Sequence, residues 1–161
     1  CQEYDIHLGS VDLPLVIDHG AGHAGNSHRI DMWNLADQSL LQVVTETVYN
    51  GRKQHITEKT FKPIKHGQPF ILIAPPGSLA TLRELGYMTF DDRIINTYDT
   101  VMDNTQRWIH VRSAIAALLI QDLHRWSDLC YHQCMYNQQL FVQSKLDRLN
   151  SLAYKLNSSL Q

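Results

Sequence analysis

Three runs between residues 42 and 79 decide the fold: Gln-Val-Val-Thr-Glu-Thr (42–47), His-Ile-Thr-Glu-Lys-Thr-Phe-Lys-Pro-Ile (55–64) and Gly-Gln-Pro-Phe-Ile-Leu-Ile-Ala-Pro-Pro-Gly-Ser-Leu (67–79). The first predicts a strand over 40–45 with Glu46 at its carboxyl end. Thr57 is placed to cap a helix from 58, because a threonine oxygen can take one of the free N–H groups of a first turn. Pro63 lies inside that helix, has no N–H to donate, and predicts a kink or restart there. The run 70–74 is apolar without alternation, as in a parallel strand covered on both faces. Pro75, Pro76 and Gly77 then turn the chain, Ser78 is expected to cap a helix from 79, Gly86 to end it, and 88–90 to form a short strand.

Working outward, the apolar run 13–17 ends in Asp18 and predicts another strand. The Gly- and His-rich segment 19–28 is a loop, and 31–38 suits a short helix with Met32, Trp33, Leu35 and Ala36. Beyond an irregular stretch (91–102), Asp103 or Asn104 opens a long helix with Trp108, Val111, Ile115, Leu118 and Leu119 at helical spacing. Ser127 is expected to cap a last helical region reaching about Leu156, striped by Leu129, Met135 or Tyr136, Leu140, Leu146, Leu149, Leu152 and Leu156. Trp33, Trp108 and Trp126 are expected to pack. Alternating strands and helices followed by closing helices predict an α/β class: a Rossmann-like, mainly parallel sheet sandwiched by helices. Residues 1–161 are read as one domain, with 126–161 its C-terminal helical extension. In such sheets ligands bind beyond the carboxyl ends of the strands. Asp18, Glu46 and the 75–78 turn sit there, and 57–59 opens the following helix.

Lys59 is the anomaly, since a cation in a first turn opposes the positive end of the helix dipole. Beside free backbone N–H groups it completes an anion site suited to phosphate. Arg52, Lys53, Lys59, Lys62 and Lys65 stand against the single acid Glu58 over 52–66, while the chain's net charge is −2. The basic excess is therefore local, and focuses anions if it lines a crevice. The alternative is a solvated basic helix face.

Val44-Thr45-Glu46-Thr47 followed by Ile56-Thr57-Glu58-Lys59 resembles the donor-binding region of fucosyltransferase-like glycosyltransferases. A broader glycosyltransferase-like group is similar over a longer ordered series: Thr-Glu-Lys-Thr-Phe-Lys-Pro-Ile (57–64), Pro-Phe-Ile (69–71), Pro-Gly-Ser-Leu (76–79) and Leu-Arg-Glu-Leu-Gly-Tyr-Met-Thr-Phe (82–90). The resemblance implies half of a GT-B-type enzyme, the domain that binds a nucleoside-diphosphate sugar, GDP-linked by analogy. It implies that Glu58 bonds the donor ribose and Lys59 the diphosphate, with Glu46, Thr47, Thr57, Gly77 and Ser78 completing the nucleotide and phosphate site. It also implies transfer to a hydroxyl acceptor, a glycan, without a metal, and a missing N-terminal domain that carries the acceptor site and general base; no catalytic residue is assigned here. Thr47 replaces an Asn of the fucosyltransferases and the loop before Glu58 is slightly longer, which leaves the donor open.

Hydrophobic content of 43% and charged content of 19% are those of an ordinary globule. No apolar run approaches a membrane span, the longest candidate being 115–120. Three cysteines (Cys1, Cys130, Cys134) are too few for a disulfide framework and favour a cytoplasmic setting. Cys130 and Cys134, four apart on the last helix, read as buried structural residues. The non-methionine start predicts a piece of a longer chain. His19, His23 and His28 have no spacing that imposes a metal site, nothing forms a nucleophile elbow, and the basic patch lacks the interleaved aromatics of a nucleic-acid surface. Asp91, Asp92 and Asp99 read as turn and capping acids. The competing class is a non-catalytic nucleotide-binding or structural module that keeps the fold.

Overall fold

The computed structural model describes residues 39–51 and 53–159, all within the compact unit Trp33–Gln161. The strand expected at 13–17, Asp18, the Gly/His loop, the helix at 31–38 and Arg52 lie outside the described residues. Within them the chain is mixed α/β and mostly helical. The elements are β1 (Gln42–Thr45), α1 (Glu58–His66), β2 (Phe70–Ile73), α2 (Ser78–Glu84), a 3-10 turn (Asn96–Thr100), α3 (Asn104–Leu119) and α4 (Leu123–Ser159).

β1 and β2 pair in parallel, in the register Gln42↔Phe70 to Thr45↔Ile73. The ladder is extended at both ends, by Gln42 N–H to the Pro69 carbonyl (3.0 Å) and Glu46 N–H to the Ile73 carbonyl (2.9 Å). All four residues of β2 are buried, as its unbroken apolar run requires; β1 buries only Val44, and Val43 is exposed. α1 is the crossover between them. It begins on Thr57, whose hydroxyl accepts from Lys59 N–H, and it runs through Pro63 as one helix rather than restarting. α1 ends in a closed turn: Gly67 adopts φ +67°, its N–H bonds to the Ile64 carbonyl (3.1 Å), and Gln68 N–H bonds to the Pro63 carbonyl (2.9 Å). This paired closure satisfies the last-turn carbonyls, Pro63's among them.

Three further expectations are corrected. Residues 88–90 are not a strand. The side-chain amide of Asn137 on α4 takes the place of a strand neighbour, accepting from Met88 N–H (2.8 Å) and donating to the Met88 carbonyl (2.9 Å). Asn137 is 1% exposed, and Phe90, just beyond, is the one described non-glycine residue at positive φ (+60°). α4 starts at Leu123, before Ser127, on Asp122, whose carboxylate accepts from Arg125 N–H (3.1 Å). Trp108 is 43% exposed and does not pack; α3 buries Arg107, Val111, Ala114 and Leu118 instead, from a start on Asp103, which accepts from Gln106 N–H (2.8 Å).

The core joins β2 to α1, α2, α3 and the first half of α4. Phe70 meets Phe90 edge to face (5.5 Å between ring centres), and Phe61 contacts Tyr87 (5.8 Å) and Phe141 (5.9 Å). Trp126, Cys130 and Cys134 are buried on the inner line of α4. Burial pushes the Cys130 thiol up to about 11 and that of Cys134 to about 12, so both stay protonated and inert at neutral pH. Arg107 is 1% exposed and has no carboxylate partner among the described residues. Its guanidinium donates to the carbonyls of Tyr49 (2.7 Å) and Val101 (2.9 Å) and to Asn104 Oδ1 (2.7 Å), and lies 4.2 Å from the centre of the Tyr49 ring. It thereby ties the loop after β1 to the start of α3. Among the described residues no helix is long and apolar enough to cross a membrane.

Replacing Asn137 by Ala leaves the Met88 N–H and carbonyl without partners in a closed site. The expected loss is about 2–4 kcal/mol from two abandoned polar groups, read as a lower urea midpoint with an unchanged slope. A loss under about 1 kcal/mol would mean that water replaces the amide freely.

Candidate functional site

The carboxyl end of β1 and the amino end of α1 meet at Glu46. Its carboxylate accepts from Thr57 N–H (2.8 Å), the Thr57 hydroxyl (2.6 Å) and the Thr60 hydroxyl (2.5 Å). The side chain is turned inward and the residue is 7% exposed. The helix terminus that the sequence marks for an anion therefore already holds one, supplied by the chain. Burial acts to raise the Glu46 carboxyl; the bonds from Thr57, then Thr60 and the Thr47 backbone, outweigh it and hold the group below the usual glutamate value. Thr57 is engaged on both sides, donating to Glu46 and accepting from Lys59 N–H at 3.3 Å.

Thr47, Glu58 and Lys59 form the exposed part of the constellation. The Lys59 ammonium donates to the Thr47 hydroxyl oxygen (2.8 Å) and stands 3.8 Å from a Glu58 carboxylate oxygen. The two charged side chains are 38% and 49% exposed. β1 sets the position of Thr47 and the Thr57 cap sets the direction of the first turn of α1. The Thr47 hydroxyl, having accepted from lysine, keeps its own proton to donate.

The 75–78 turn is joined to the loop after β1 by Gln54, whose amide donates to the Pro76 carbonyl (2.9 Å). Gly77 has φ +83°, so the turn needs glycine, and a Cβ there, 2.8 Å from that amide nitrogen, would displace the Gln54 side chain. Ser78 is 1% exposed and its hydroxyl donates to the Pro75 carbonyl (2.7 Å). The expectation that Ser78 caps α2 is corrected: Asp99, from the 3-10 turn, accepts from Leu79 N–H (3.0 Å) and Ala80 N–H (3.1 Å). Asp99 is the capping acid the sequence suggested, acting on a helix distant in sequence.

Of the seven residues marked in the sequence, Glu46, Thr47, Thr57, Glu58 and Lys59 are thus joined in one bonded cluster, while Gly77 and Ser78 shape the neighbouring turn. Sequence reasoning missed Thr60, Gln54 and Arg107. A threonine three residues after a Thr cap is a faint signal for the first; nothing local announces the other two. Among the described residues no group of three or more His, Cys, Asp or Glu side chains is placed to hold a metal ion. A separate open depression of about 400 Å³ includes Arg83, Thr89, Asp91 and Gln133 in its lining and none of the seven. Its polar groups bond one another: the Arg83 guanidinium donates to Thr89 (2.8 Å) and Asp91 (3.1 Å), and Asn96 donates to Asp91 (3.0 Å). No family model, curated protein or solved structure matches this chain.

Because the folded pKa of Glu46 is depressed, its contribution to stability is complete above the ordinary glutamate range and lost as pH falls through the lowered folded value. Glu46→Gln should lower stability at pH 7 by about 1–3 kcal/mol, the worth of hydrogen bonds to a charged group. The gap between wild type and variant should close on acidification below about pH 4. Denaturant titrations at pH 7, 5 and 3 check this; a gap independent of pH would show that the ionised form carries no advantage.

Proposed function

We propose that this chain is the donor-binding half of a cytoplasmic glycosyltransferase with two facing Rossmann-like domains, binding a nucleoside-diphosphate sugar and passing the sugar to a hydroxyl acceptor, a glycan. The observation that carries the reading is the Lys59 ammonium, held by the Thr47 hydroxyl at the carboxyl end of a parallel strand and partly open to solvent. A parallel sheet receives ligands at that edge. The ordered resemblance over 57–90 supplies the reaction class.

In such a transfer the bond between the anomeric carbon and the terminal phosphate oxygen breaks, and the acceptor oxygen forms a bond to that carbon. Negative charge grows on the departing diphosphate. Lys59 is suited to neutralise that charge, and the Thr47 hydroxyl proton can be given to a phosphate oxygen. The exposed Glu58 carboxylate accepts from the vicinal ribose hydroxyls. Glu46, Thr57 and Thr60 act indirectly, fixing the strand end against the helix start. Gly77 and Ser78 shape the turn that borders the donor. The acceptor site and general base belong to the N-terminal domain implied by the resemblance.

The internal engagement of Glu46 favours a second reading, a module that binds a nucleoside diphosphate without catalysis, since this carboxylate is spent on the fold rather than offered to a substrate.

Titration calorimetry with GDP, then other nucleoside diphosphates and guanosine, tests binding. The diphosphate should bind more tightly than the nucleoside, and Lys59→Ala should weaken it by about 1.5–3 kcal/mol, the worth of a charged hydrogen bond. No binding by the intact protein, or equal affinity in the variant, removes the site. Hydrolysis of the donor sugar, abolished in Lys59→Ala, separates the enzyme from the module.

A further inference from the structure

Among the described residues, the second half of α4 buries no side chain. Trp126, Cys130, Cys134 and Asn137 are buried along its inner line, yet every residue from 142 to 152 is exposed. That face is not polar: Tyr131 is 58% exposed, Val142 51%, Leu146 48%, Leu149 54% and Leu152 51%. Counted at about 100° per residue, Val142, Leu146 and Leu149 lie about 130°, more than a third of a turn, round the helix from the buried line. They form a second stripe rather than an overrun of the first.

The spacing of this stripe is specific. Val142, Leu146 and Leu149 alternate by four and three residues, and in sequence the same phase continues back to Met135 and Gln139. That is the heptad seam of a helix packing side by side with another helix. Asp147 and Arg148 fall on the opposite face. A segment of about 18 residues (142–159) is at the margin of helix stability in water when nothing packs against it.

We propose that this face of α4 is an interface with a second copy of the chain, two α4 helices meeting along 131–152. Identical chains set identical charges against each other, so self-pairing requires flanks free of like-charge contacts. Lys145 is the sole charged residue beside the seam over 142–152. A parallel pair sets it against Asn150 of the second copy, and an antiparallel pair centred between Asp147 and Arg148 sets it against Leu152. Neither direction brings like charges together. The strip from Tyr131 to Leu152 is about 32 Å long and about one helix diameter wide. Its burial on both copies removes on the order of 1,000 Å² of surface, the lower bound for a specific pair.

Sedimentation equilibrium of the full chain from about 1 to 200 µM, a range matched to a pair of this size, tests the inference. The expected mass rises with concentration toward twice 18.5 kDa. Leu146→Asp with Leu149→Asp should return the chain to 18.5 kDa, weakening self-association by at least roughly 100-fold, while the near-ultraviolet spectrum of the buried core is kept. Asp147→Lys with Arg148→Glu, on the far face, should leave the pair intact. A wild-type chain that stays a monomer throughout, whether because another partner or another part of the chain covers the seam, overturns the inference. So does a pair indifferent to the leucine substitutions, or one broken equally by the far-face variant.

Discussion

A carboxylate facing inward at the end of a strand organises the part of the molecule best placed to act. Glu46 takes three hydrogen bonds from Thr57 and Thr60, so β1 cannot move against α1 without exposing or stranding a buried charge. Stranding an ionised group in a closed site is costly enough that the two elements behave as one body. Everything exposed at this edge inherits the constraint. Thr47 follows Glu46 directly and Lys59 follows the Thr57 cap by two residues; their 2.8 Å contact exists because Glu46 has already set the distance between strand and helix.

Similar ties recur where the backbone leaves regular structure. Asn137 supplies Met88 with the donor and acceptor that a strand would have given; Asp99 supplies α2 with a cap; Arg107 gathers the carbonyls of Tyr49 and Val101. Each is a polar side chain meeting backbone groups that secondary structure leaves open, and each spans a long interval of sequence. The two strands among the described residues have few ladder bonds to offer, and these side chains hold the loops to the core.

That division decides what could be read in advance. The Thr57 cap, the Asp103 cap, the Gly86 stop and the strands within 40–45 and 70–74 rest on neighbours in sequence, and the structure places them as their chemistry requires. The Ser78 cap and the strand at 88–90 fail because distant partners intervene: Asp99 takes the helix end and Asn137 takes the strand's role. At the site, the cluster of Glu46, Thr47, Thr57, Glu58 and Lys59 was legible as a set. The inward turn of Glu46 was not, because a carboxylate facing a ligand and one facing a helix terminus have the same sequence signature. The leucines of α4 show the same limit, since periodicity reveals an apolar face and is silent on which body it meets.

Cys130 and Cys134 carry a consequence of a different kind. Buried and held protonated, they meet an alkylating reagent only when α4 lifts from the core. The same helix carries Asn137, so the motion that uncovers the sulfurs also releases residues 87–90. The pace at which these two thiols are trapped is therefore a clock for one particular opening of the molecule. It needs no label beyond the atoms already present.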